Sequence, residues 1–246
     1  MSEIIVNKRD GTTESLDLEK MHKVVFFACE GIAGVSPSEV EIRSHLQFYD
    51  GISSSNIQET LIKAAADLIT EETPNYQWVA GRLINYHLRK MVYDQYEPWP
   101  LQQIIDKNIE LGFYDDEILE LYSPEEIELA DSYIKHSRDE NIAYVGMEQF
   151  RGKYLVQNRA TGIVYETPQV AYMMIALTLF SDYPKEERMR WVKDFYNATS
   201  NFDISLPTPI MAGLRTPQRQ FSSCVLVETD DSLDSINATA SSIVKY

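Results

Sequence analysis

Two groups of side chains in this 246-residue chain are of types and spacings that do chemistry. Cys224 lies in RQFSSCVLVE, where a polar run from Arg219 to Ser223 leads into an apolar run from Cys224 to Val227. That change of texture reads as a short buried strand with a thiol at its mouth, a setting for redox chemistry. The second group is cationic. Lys8 and Arg9 precede a turn signal at Asp10-Gly11, Lys20 follows, and His87 and Lys90 stand three apart in a helical stretch, on neighbouring faces. Converging from two sides, these cations would hold a triphosphate, with Glu14, acceptor-only, taking hydrogen bonds from a ribose or an adenine amino group. Each group has an ordinary alternative. A strand Cys is more often packing than redox, Lys8 and Arg9 are by default solvated turn charges, and Lys20 and Lys90 are helix-surface lysines. Neither Gly-rich phosphate-cradling pattern, Walker A or GxGxxG, occurs.

The elements that must position these residues are mostly helical. Ile4 to Val6 and a second short strand running to about Leu16 form a hairpin. A first helix from Leu18 to Glu30 places Leu18, Met21, Val25, Ala28 and Cys29 on one apolar face, capped by Asp17 and ended by Gly31. Cys29 on that face reads as core. A second helix opens at the capping-box sequence Ser36-Pro37-Ser38-Glu39, a third near Ser54-Ser55 with Ile57, Leu61, Ala64, Ala65 and Leu68 in helical register, and a fourth runs from Thr73-Pro74 to about Tyr96. Glu97-Pro98-Trp99-Pro100 breaks the pattern and marks a domain boundary. Beyond it come a capping box at Ser123-Pro124-Glu125-Glu126, a hairpin around Gly162, and helices over Pro168–Phe180 and Lys185–Ala198. From Ser205 the chain reads as Pro-rich and extended. In it Pro207-Thr208-Pro209 is a stiff segment, followed by the Cys224 strand and a helix near Ser232 to Lys245, with Asp230-Asp231-Ser232 as its capping cluster.

Composition narrows the function classes. With 22 Lys+Arg against 38 Asp+Glu the net charge is −16, which disfavours nucleic acid as a partner but leaves room for a local cationic nucleotide site. No apolar run approaches the roughly 20 residues that span a bilayer, and no signal-peptide pattern opens the chain. Two cysteines make no disulfide framework, so a cytoplasmic, reducing location is expected, and no metal-ligand spacing is present.

The segments VNKRDGTTESLDLEKMHKV and NYHLRKMVYDQYEP, with the helix carrying Ser54 and Gln58, resemble the ATP-cone of class I aerobic ribonucleotide reductase large subunits over about residues 4–96. The resemblance implies a hairpin capping a four-helix bundle that binds ATP as activator and dATP as inhibitor. Carried over by position, the contacts fall on Lys8, Arg9, Glu14, Ser15, Leu16, Asp17, Leu18, Glu19, Lys20, Ser54, Gln58, His87 and Lys90. Two positions depart from bacterial relatives. Ser54 stands where they have Thr and keeps the hydroxyl, whereas Gln58 stands where they often have His, keeping hydrogen bonding but losing a titratable ring, which bears on ATP/dATP discrimination.

The stretch from Ser205 to Tyr246 resembles the start of the catalytic α/β barrel of the same family. By that resemblance Cys224 is one of two thiols that give electrons to the ribose 2′-carbon, Thr208 and Ser223 contact substrate, and Asp231, Ser232 and Leu233 form part of the specificity site. The expected fold is therefore mainly α: residues 1–96 an ATP-cone, 97–204 a helical domain, 205–246 the first strand and helix of an incomplete barrel. In the family the barrel continues for several hundred residues, and the partner thiol lies downstream. Cys29 belongs to the cone, so the chain is expected to be inactive alone. Its expected partners are a complementary C-terminal polypeptide completing the barrel (by a natural gene split or as the rest of a longer chain), a small subunit holding the radical-generating metal site, thioredoxin or glutaredoxin, and further copies of the assembled large subunit. A free-standing ATP/dATP-sensing module and a remnant of a disrupted gene are the alternatives; the missing CxxC pair and the acidic charge argue against a zinc-ribbon transcriptional regulator.

Overall fold

The computed structural model of the chain describes residues 4–45, 47–218 and 220–245. Arg219, at the head of the polar run before Cys224, and Tyr246 lie outside them. Strands β1 (Ile5–Asn7) and β2 (Thr13–Ser15) pair antiparallel, with Ile5 opposite Ser15 and Asn7 opposite Thr13. Gly11 turns the chain at φ +83°, a conformation glycine adopts without strain. A third strand, β3 (Ile52–Ser53), joins β1 in parallel. Two residues are too few for alternation to register, so no sequence pattern announces it.

Four helices pack beneath this sheet. In α1 (Leu18–Cys29) the Asp17 carboxylate accepts from the Glu19 and Lys20 N–H groups, and Met21, Val25, Ala28 and Cys29 are buried. Leu18, expected on that face, is 49% exposed, because the first turn opens onto a cleft between α1 and α2 (Pro37–His45) rather than onto the core. Glu39 accepts from the Tyr76 hydroxyl, which accepts from the Ser36 N–H, so the residues expected to form a capping box are joined through a third. Ser53 caps α3 (Ser54–Ala66). Helix α4 (Tyr76–Tyr93) is shorter at both ends than expected, stopped by Asp94 in the left-handed region at φ 56°, which Asp tolerates better than most residues.

Helix α4 is also the seam to the rest of the chain. It packs on α1 and α3, and equally on α8 (Tyr144–Gln149) and a 3-10 turn over His136–Asn141. A Cβ added at Gly81 would collide with the Ile142 carbonyl oxygen, and one at Gly146 would lie 2.9 Å from the Ile142 side chain. Ile142 thus lies against two positions where only glycine fits. The Glu97–Pro100 break has no regular structure but does not interrupt the packing: Trp99 packs against Tyr93, and one apolar core runs through both sides.

After α5 (Leu101–Glu110) and α6 (Glu117–Leu121), α7 (Pro124–Tyr133) opens with the reciprocal Ser123/Glu126 capping box. A π-helical turn over Phe150–Tyr154 continues α8. Strands β4 (Gln157–Asn158) and β5 (Ile163–Val164) make the second hairpin. Helix α9 (Pro168–Leu179) is buried on nearly every side and packs on α10 (Lys185–Ser200).

Two expectations for the last segment are corrected. The Pro-rich stretch is not extended throughout: Thr208–Gly213 forms helix α11, whose Pro209 sits in the first turn, where a missing N–H costs nothing. The Cys224 run is not a buried strand. Residues 220–231 have no regular structure and are exposed, Leu226 almost wholly so. A strand needs neighbours for its N–H and C=O groups, and none lies beside this run among the described residues. Helix α12 (Leu233–Lys245) does form, but buries no residue.

Candidate functional site

The hairpin, the start of α3 and one face of α4 meet. Parallel pairing sets Asn7 beside Ser53, the Asn7 amide donates to the Gly51 carbonyl at 2.8 Å, and the Ile5 N–H donates to Asp50 at 2.8 Å. These contacts hold the Lys8-Arg9 turn near the N-terminus of α3, where Ser54 is the first helical residue. Lys8 Nζ lies 2.9 Å and Lys20 Nζ 3.4 Å from Glu14 Oε1, so one carboxylate gathers two ammonium groups. Its hydrogen bond from Lys8, with help from Lys20, holds Glu14 below the usual carboxylate range. Burial pulls the Arg9 pKa down, while Asp94 opposes that shift.

Arg9 reaches across to α4, its Nη2 standing 3.3 Å from His87 Nδ1. A guanidinium only donates, so Nδ1 accepts, and the ring proton of the neutral imidazole sits on Nε2, facing Glu59 Oε1 at 3.4 Å. Burial first, then Arg9 and Arg151, push His87 down to about 4 against the pull of Glu59. His87 is therefore neutral near pH 7, which corrects its expected role as a positive group. It is a bridge between Arg9 and Glu59. Lys90, one turn on, lies over the Tyr86 ring at 5.9 Å.

The other expected effector residues divide. Gln58, on α3, has a buried Oε1 with no partner, an acceptor placed where a donor is needed. Asp17 is committed to capping α1, and Leu16 pairs with Ile4 through its N–H. Ser15 is the last residue of β2, opposite Ile5. Leu18 and Glu19 line the cleft of about 640 Å³ between α1 and α2, which includes none of Lys8, Arg9, Glu14 or Lys20. A triphosphate suits the cationic set: Lys8, Arg9 and Lys20 can exchange carboxylate and imidazole partners for phosphate oxygens, and the N-terminus of α3 adds its dipole. The Gln58 acceptor suits a hydroxyl or an amino group.

The thiol region has a different character. Cys224 is exposed, Ser223 Oγ lies 3.7 Å from its sulfur, and Ser222 Oγ lies 3.5 Å from its carbonyl oxygen. Thr208 is half-buried at the first position of α11. Ser232 accepts from the Ser235 N–H and so caps α12, with Asp231 exposed before it and Leu233 79% exposed as its first residue. Cys29, by contrast, is buried, and burial raises its thiol to about 11. Iodoacetamide will accordingly alkylate Cys224 in the native chain and reach Cys29 only on unfolding, which peptide mass spectrometry reads directly.

What sequence reasoning missed is the anchor of this region. Arg215, two residues past α11, and Glu166 form an ion pair in which both side chains are wholly buried. Glu166 also accepts from the Tyr114 hydroxyl at 2.5 Å and the Val156 N–H at 2.8 Å, and Arg215 donates to the Met211 and Tyr154 carbonyls. Only the arginine's position just ahead of the Cys224 run hints at it. Among the described residues no group of three or more His, Cys, Asp or Glu side chains could hold a metal ion, and no helix is long and apolar enough to cross a membrane.

Two family models match the chain: "ATP cone domain" over residues 4–91 and "Ribonucleotide reductase, all-alpha domain" over residues 140–219. Residues carrying the cationic set fall in the first, and the Glu166–Arg215 anchor falls in the second. The chain is 56% identical over 243 residues to ribonucleoside-diphosphate reductase 1 subunit alpha of Escherichia coli, covering 99% of this chain and 32% of that protein. It is 55% identical over 243 residues to the subunit alpha of Haemophilus influenzae, with the same coverage, and 48% identical over 248 residues to that of Enterobacteria phage T4, covering 100% of this chain and 32% of the phage protein. The chain thus spans about a third of the length of these relatives. Its two domains and this similarity place the chain in the ribonucleotide reductase alpha-subunit family: it joins an ATP-cone to the all-alpha domain and is similar to the N-terminal third of its relatives.

Proposed function

We propose that this chain is the effector-sensing and thiol-bearing front of a class I ribonucleoside-diphosphate reductase, which makes deoxyribonucleoside diphosphates for DNA synthesis. Residues 4–96 are the activity unit and bind ATP or dATP through Lys8, Arg9, Lys20, Lys90, Ser54 and Gln58, with His87 behind Arg9. Residues 97–204 form the body. From residue 205 onward the chain opens the catalytic barrel, in which Cys224 is one of two redox thiols, Thr208 and Ser223 hold substrate, and Asp231, Ser232 and Leu233 contribute to the specificity site.

The observation that carries the effector reading is the gathering of hairpin Lys8 and α1 Lys20 on one carboxylate, Glu14, with hairpin Arg9 reaching His87 on α4. The exposed apolar residues Leu226, Leu233, Ile243 and Val244 support the barrel reading, because exposed apolar side chains gathered in one segment mark a surface that another part of a protein covers. Their cover is the rest of the barrel, in the same polypeptide or a second one, and a covering partner fits this surface better than a free-standing sensor does. The small radical-generating subunit, thioredoxin or glutaredoxin, and further large subunits act on that assembly in the cytoplasm.

Calorimetric titration tests the effector site. The chain will bind ATP, and Lys8→Met or Arg9→Met will each weaken binding by about 10–100-fold, the worth of a charge-assisted hydrogen bond. A wild-type chain that shows no heat with ATP at millimolar concentration overturns the reading. In the assembly with the rest of the barrel and the small subunit, Cys224→Ser will abolish ribonucleoside diphosphate reduction.

A further inference from the structure

Beyond Arg9 and His87 the contacts continue out of the cone. Glu59 faces His87 with one oxygen and holds Arg151 with both, at 2.7 and 3.3 Å. Arg151 is held a second time by Glu148, at 2.9 and 2.8 Å. Burial works against its charge, but these two carboxylates outweigh burial and raise its pKa. Arg151 belongs to the π-helical turn Phe150–Tyr154, and the carbonyl that ends this turn, that of Tyr154, accepts from Arg215 at 2.9 Å. The next residue but one, Val156, donates its N–H to Glu166, the partner of Arg215. Arg215 leads into the run that carries Cys224.

We propose that Glu59 and Arg151 transmit the position of Arg9 from the effector site, through the π-helical turn, to the segment ahead of Cys224. The proposal rests on the effector reading above. Its two-state element is the position of Arg9: a phosphate that draws the guanidinium onto its oxygens moves Nη2 off its 3.3 Å contact with His87 Nδ1. When Arg9 turns to phosphate, His87 Nδ1 loses its donor and the imidazole is freed to shift against Glu59. Glu59 then divides differently between His87 and Arg151, and the turn carrying Arg151 adjusts at its Tyr154 end. π-helical turns are rare and recur at functional sites. Arg151 acts here as a positioning residue and touches neither nucleotide nor thiol.

Hydrogen exchange read by mass spectrometry tests this on the whole chain, with ATP as probe, following peptides over residues 5–15, 150–158 and 208–218. In the wild type, ATP will slow exchange in the first and change it about threefold or more in the other two. In Arg151→Met and in Glu59→Gln, ATP will still slow exchange over 5–15, its affinity shifting by no more than that coupling factor, while the response over 208–218 disappears. Arg151→Lys, which keeps charge but not the two-pronged geometry, will respond weakly. Glu59 is partly exposed, so Glu59→Gln reads the relay even if Arg151→Met folds poorly. The relay is overturned if 208–218 responds in the variants as in the wild type, or stays silent in the wild type while 5–15 is protected. If 5–15 itself ignores ATP, the effector site fails, and the relay fails with it.

Discussion

Replacing Arg215 by Met will destabilise the chain by about 3–5 kcal/mol, because the change strands the Glu166 carboxylate in a wholly buried site. The carboxylate keeps the Tyr114 hydroxyl and the Val156 N–H, but loses the charge that offsets its desolvation. The Tyr154 and Met211 carbonyls lose a donor in the same step. For a chain of this size the loss corresponds to a fall in Tm of roughly 10 °C, read by calorimetry or circular dichroism. The double variant Arg215→Met/Glu166→Met will recover part of the loss, since two well-packed apolar side chains replace a paired charge at little cost. A single variant within about 1 kcal/mol of wild type would mean that the ion pair is not the anchor of this region.

The second large effect concerns pH. Asp139 sits wholly buried in the 3-10 turn beneath α4, its Oδ1 accepting from Gln169 at 3.0 Å and its Oδ2 without a partner. Burial pushes its carboxyl up to about 7, against the pull of Gln169 and Arg89. Below the ordinary carboxylate pKa the group is neutral in both folded and unfolded chains. Between that value and about 7 the unfolded chain ionises while the folded one holds its proton, so stability falls as pH rises through the window. A gap of about 3 pH units corresponds to roughly 4 kcal/mol. His87 and His136 work the other way: burial holds both at about 4, so they remove stability as pH falls below the ordinary histidine value. Subtracting wild type from Asp139→Asn cancels the histidines. Denaturant melts should show the variant gaining on wild type by about 4 kcal/mol between pH 4 and pH 8. A difference that does not change with pH would remove Asp139 as the source.

Local features were legible in the sequence, and long-range ones were not. Asp17 and the Ser123/Glu126 box announce their helices because a cap involves residues two or three apart. Met21, Val25 and Ala28 announce a buried face because a helix repeats in register with them. The Lys8-Arg9 turn and its resemblance marked the cationic site, but not that His87 would be buried and neutral, since burial depends on what α3 and the hairpin bring over it. Glu166 and Arg215 are 49 residues apart and leave no spacing to detect. Cys224 shows the opposite failure. Its apolar run has the composition of a strand, but strand structure is a property of the pair, and no partner lies beside it here.

The fit of Ile142 between Gly81 and Gly146 limits how freely the cone could be exchanged among relatives. Arg82, next to Gly81, donates to the Ala28 and Glu30 carbonyls within the cone and to the Glu140 carbonyl beyond it. An ATP-cone grafted in as a cassette would therefore have to bring its own glycine and arginine at these two adjacent positions, or arrive together with the helix it docks on. In an engineered chimera the permissible junctions follow from this: a crossover within α4 separates residues that must match, whereas one that transfers α4 with the segment over 136–149 keeps the joint intact.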